Sequence, residues 1–121
     1  MINLFTCSLS ASDIDAIIAA LPILASPEFE STDEQLNRNI ALALSATEKL
    51  LNRENKFYIN EQRVMFGAVL AARDYLTGAL PLDLDSELKD AISPYFFTYN
   101  KLYPHCQKAL DEMEARYALS E

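Results

Sequence analysis

Apolar residues recur three and four positions apart in segments separated by prolines, a glycine and polar clusters, which is the signature of successive amphipathic helices. Ile14, Ile17, Ile18 and Leu21 share one face of a first helix that begins near Ser10 or Ser12. With Ser10 as cap, Leu9 and Ile14 form a hydrophobic staple. Pro22 ends or kinks this helix, and "ASPEFESTD" follows as a loop. "STDE" then predicts a capping box between Ser31 and Glu34. The second helix carries Leu36, Ile40, Ala43, Leu44, Thr47, Leu50 and Leu51 at helical spacing, a stripe expected to lie against a neighbour.

"NRENKFY" reads as a polar break before a third helix, for which Asn60 is the expected cap and Ile59 with Val64 the expected staple. Gly78 suits a left-handed residue at its end. This helix is apolar nearly all round. Val64, Ala68, Ala71 and Tyr75 form one band, with Met65, Ala72 and Leu76 beside it, while Phe66 and Leu70 project toward the side of Arg63, Arg73 and Asp74. Such a helix is either central to its bundle or turns a second face to another chain.

"ALPLDLDSELKDAI" gives a turn and a short helix over residues 86–92, capped by Asp85. Ser93 and Pro94 are expected to start the last helix as cap and first helical residue. Tyr95, Tyr99, Leu102, Tyr103, Cys106, Ala109, Leu110, Met113 and Tyr117 follow one stripe that passes through Pro104 without a slip. One bent helix is therefore expected, with Pro104 unable to donate to the carbonyl of Asn100. "INLFT", residues 2–6, is the one plausible extended piece, and no motif recurs at a fixed period. The pattern predicts an all-α fold over residues 1–121, a single-domain bundle of four to five helices with a Pro-kinked long C-terminal helix packed across a central third helix.

Composition adds that 121 residues, 50% of them apolar and 23% charged, suffice for one core without disulfides or metal. Eighteen acidic against ten basic residues give a net charge of −8, a field that repels phosphate backbones, so no direct nucleic-acid binding is expected. The acids gather at Glu28, Glu30, Asp33 and Glu34, at Asp83, Asp85, Glu87 and Asp90, and at Asp111, Glu112 and Glu114. These read as solvated helix faces and helix starts, or alternatively as a surface for a basic partner, up to an acidic nucleic-acid mimic. Cys7 and Cys106, with no cationic leader before them, point to a reducing, cytoplasmic setting. No apolar run reaches the roughly 18 residues of a membrane span.

Catalytic chemistry is thinly signalled. There is no phosphate-cradling glycine loop, no glycine-flanked serine and no helix bearing two histidines. His105 and Cys106 are neighbours that project about 100° apart on a helix and cannot act as base and nucleophile on each other. Asp83, Asp85 and Glu87 open like a calcium loop, but Leu88 stands where glycine is needed and Pro94 where the bidentate glutamate belongs. A zinc site would need Cys7, His105, Cys106 and a carboxylate to converge. No catalytic set, cofactor or metal is expected.

Two candidate sites remain. Phe66, Leu70, Phe96 and Phe97 lie off the main stripes and could meet a protein partner or a second copy. Tyr95, Tyr99 and Tyr103 share one side of a helix and could present hydroxyls to a small ligand, although tyrosines also serve at core edges. The leading expectation is a non-enzymatic protein-interaction module of accessory, adaptor, inhibitor or immunity type, with small-ligand binding or nucleic-acid mimicry as alternatives. Phe97 poses the sharpest question: either the segment "LPLDLDSELKDAI" covers it or another molecule does.

Overall fold

The computed structural model describes residues 4–6, 9–27, 29 and 32–118, giving the backbone alone for 4–6 and 116–118. The fold is an all-α bundle, with five helices among the described residues: α1 (Ala11–Leu24), α2 (Asp33–Leu51), α3 (Ile59–Leu76), α4 (Ser86–Ile92) and α5 (Phe96–Ala118). Two three-residue strands, β1 (Leu4–Thr6) and β2 (Lys56–Tyr58), pair antiparallel with Leu4 opposite Tyr58 and Thr6 opposite Lys56. The first strand falls within the expected extended piece, but the second occupies what reads as a polar break. Its only inward side chain is Phe57, fully buried between two exposed neighbours, and one apolar residue is too short a pattern to announce a strand.

Ser10 caps α1. Its hydroxyl accepts from the amide of Asp13, and the Asp13 carboxylate accepts from the amide of Ser10, each at 3.2 Å. Pro22 does not end the helix, which runs two residues further and buries Ile23 and Leu24. The α2 helix begins at Asp33 with Thr32 in the cap position, one residue later than a Ser31 cap requires; Ser31 itself lies outside the described residues. The cap of α3 is Tyr58, not Asn60, because the Glu61 carboxylate accepts the amide of Tyr58 at 2.7 Å and starts the helix directly after β2.

Gly78 adopts φ +83° just beyond α3, and the amide of Ala79 returns to the carbonyl of Asp74 at 2.8 Å, closing the helix as expected. The same closure after α2 places Arg53, which has a Cβ, in the left-handed region at φ 58°. Asp85 precedes α4 as anticipated. Ser93 is not the cap of a new helix: its backbone is helical, and its hydroxyl donates back to the carbonyl of Lys89 at 2.7 Å. The chain passes from α4 through a 3-10 turn at Ser93–Tyr95 directly into α5. Pro104 then sits inside α5, one helix throughout.

Helix α3 is central. It packs on α1, α2 and α5, which explains apolar residues on several sides of it: Met65, Ala68, Val69 and Ala72 are fully buried. Small residues make the α1–α3 contact close. Ala16 and Ala20 are inaccessible, and a Cβ on Gly67 would come within 3.2 Å of Leu24 Cδ1. From α5, Tyr99 and Cys106 enter the core, and Leu84 and Ile92 bring in the α4 segment.

Candidate functional site

The rotation of α2 decides which apolar residues the protein leaves uncovered. Asn39, Ala43, Ala46 and Leu50 form its buried face. Three polar ties hold it there: the Asn39 amide donates to the carbonyl of Leu24 at 3.0 Å, the Ser45 hydroxyl donates to Glu61, and Lys49 Nζ donates to Glu61 at 2.7 Å. The expected stripe is therefore split. Its inner edge meets α1 and α3, while Ile40, Leu44 and Leu51 face outward, the last two 67% and 65% exposed. With half-buried Leu36 and Thr47 they follow i, i+4, i+8, i+11, i+15, a continuous apolar band about 22 Å long. Exposed Asp33 and Glu48 border the band, while Glu34 lies further round the helix and pairs with Arg38 at 3.5 Å.

The sequence contains a partial sign of this. Its apolar positions on α2 cover too wide an arc for one packed face, and polar Asn39 sits on the inner side. Without the tie to Leu24 in view, the arc reads as core.

Of the four expected partner-binding residues, Phe66 is withdrawn from the outer surface that a protein partner would meet. It is 4% exposed, with its ring edge-on to His105 at 6.3 Å, because α5 crosses α3 on that side. Leu70 and Phe96 are half-buried. Phe97 is 82% exposed, so the α4 segment does not cover it; its ring lies edge-on to Phe96 at 5.8 Å.

The three tyrosines do not converge on a ligand. Tyr99 is fully buried and donates to the carbonyl of Ala16 at 2.7 Å, and burial pushes its phenol well above the usual range. Tyr95 packs edge-on against Tyr99. Tyr103 turns its hydroxyl to Asp74 at 3.3 Å under the guanidinium of Arg73, 4.4 Å from the ring centre. These are core-edge roles.

The strongest electrostatic cluster is at Glu61, which is 1% exposed. Lys49, Ser45 and the amide of Tyr58 all donate to its carboxylate, and Lys49 Nζ also lies 4.2 Å from the Tyr58 ring centre. Burial raises the carboxyl pKa, but these donors outweigh it and hold the group below its ordinary 4.5. A carboxylate engaged by three donors is a clasp joining α2, β2 and α3.

Comparison with protein-family models, with curated proteins and with solved structures finds no match. The chemistry must be read from this chain alone. Among the described residues no group of three or more His, Cys, Asp or Glu side chains is placed to hold a metal ion, and no helix is long and apolar enough to cross a membrane. The calcium-like residues Asp83, Asp85 and Glu87 are all exposed. Cys106 is buried and His105 exposed, so the adjacent pair diverges as helical geometry requires; Cys7 lies outside the described residues.

Proposed function

We propose that the protein is a non-enzymatic protein-interaction module of the cytoplasm, and that the outer face of α2 is its docking surface. The observation behind this reading is the uncovered apolar band of Ile40, Leu44 and Leu51. A single exposed apolar side chain such as Phe97 is ordinary, whereas a helix-long band is a surface that water leaves at a gain in free energy. The spacing suits a second amphipathic helix laid alongside α2. Because Asp33 and Glu48 border the band and the chain carries −8, a partner helix with basic flanks is favoured over a second copy of the same acidic protein.

The test pairs Leu44→Glu with Leu51→Glu. Proteins captured from the native host by the wild type are identified, purified and titrated against wild type and double variant, and sedimentation reports self-association. The expected result is binding weakened more than about tenfold by the two substitutions, with the folded stability moved by no more than about 0.5 kcal/mol, as for exposed positions. Equal affinity of wild type and double variant for the purified partner would overturn the reading, and loss of a wild-type dimer in the variant would make the occupant a second copy.

A further inference from the structure

A cleft of about 320 Å³ opens between the start of α1, the first turns of α3 and the middle of α5, away from the outer face of α2. Its volume is at the low end of the roughly 300–1,000 Å³ of ligand pockets. Phe66, Leu102, Ala109 and Met113 supply apolar walls, and among the described residues no lysine or arginine lines it. Asp13, Gln62 and His105 supply its polar edge.

Asp13 is the anomaly. It is 7% exposed, and its Oδ2 serves the cap of α1. Its Oδ1 is buried and accepts no hydrogen bond. The nearest cation, Lys101 Nζ, stands 3.7 Å away, within ion-pair range but beyond hydrogen-bond reach, on a side chain that is 70% exposed. A buried carboxylate oxygen left without a donor is costly, and a donor brought to it gains more than one offered to an oxygen already engaged.

We propose that this cleft binds small protonated amines with an apolar body: the ammonium donates to Asp13 Oδ1 in place of Lys101, and the alkyl or aryl part lies against Phe66, Leu102 and Met113. Carboxylates of the same size meet the Asp13 charge, which Lys101, 3.7 Å away on an exposed side chain, offsets only in part. Neutral alcohols can still donate to the carboxylate but lack the attraction between opposite charges.

Amide resonances of Asp13, Phe66 and Met113 are followed while the full chain is titrated with 2-phenylethylamine, and in parallel with 3-phenylpropionate and 2-phenylethanol. The amine is expected to give saturable shifts at these residues, and the carboxylate none over the same range. Asp13→Asn should weaken the amine at least about tenfold, the loss of its ion-paired hydrogen bond, and weaken the alcohol by less. Lys101→Met removes the competing ammonium at an exposed position and should tighten the amine several-fold, so the proposal stays testable even if Asp13→Asn fails to fold. Equal shifts from amine and carboxylate, or amine affinity lowered by Lys101→Met, overturn it.

Discussion

Glu61 shows at the level of one residue how a buried charge serves the fold. Its carboxylate is inaccessible, yet it is held ionised by Lys49, Ser45 and the amide of Tyr58 against the cost of burial. Because its folded pKa lies below the ordinary 4.5, its contribution to stability is complete above that pH and is lost as the pH falls through the lower folded value. Glu61→Gln is therefore expected to cost about 1–3 kcal/mol near neutrality, with the difference from wild type shrinking as the pH is taken below 4.5. Urea denaturation of both proteins across that range measures it; a difference independent of pH would show that the clasp does not act through charge. Glu61 was legible in the sequence only as one more acid, since nothing local distinguishes it from the exposed acids. What sets it apart is the arrival of Lys49 and Ser45 from another helix.

At the scale of the element, periodicity identified the helices well and their rotation poorly. The stripe of α5 holds as far as Met113: Tyr99 and Cys106 are buried, and Leu102, Ala109, Leu110 and Met113 pack beside them, on both sides of Pro104, while the side chain of Tyr117 lies outside the described residues. On α2 the same kind of stripe is split, because apolar spacing fixes which residues are neighbours and not which of them meets the core. Phe66 and Phe97 make the contrast measurable. Both stand off the main stripes in sequence, yet one is 4% and the other 82% exposed. Phe66→Ala should cost about 3–5 kcal/mol, while Phe97→Ala should stay within about 0.5 kcal/mol of wild type in chemical denaturation. Comparable losses from the two would contradict this assignment of core and surface.

At the scale of the whole molecule, eighteen acids and ten bases on 121 residues leave a self-repelling surface around one apolar core. Raising sodium chloride from about 0.01 to 0.5 M shortens the screening length from about 30 Å to a few ångströms. The melting temperature is expected to rise with it; a fall would mean that ion pairs such as Arg38–Glu34 and Asp13–Lys101 outweigh the net repulsion. By itself the sequence determined the helical class, four to five helices with their approximate limits, a first cap at Ser10 or Ser12, a third helix apolar nearly all round, and the closure at Gly78. All of these rest on interactions within a few residues: backbone hydrogen bonds, caps, and the spacing of apolar side chains. Only the tertiary structure decided that Phe66 is covered and Phe97 is not, that α2 turns Leu44 and Leu51 to solvent, and that an oxygen of Asp13 is buried without a donor. Those outcomes depend on which distant side chains come to lie opposite one another, and that pairing is set by the packing of α1, α3 and α5 as a whole.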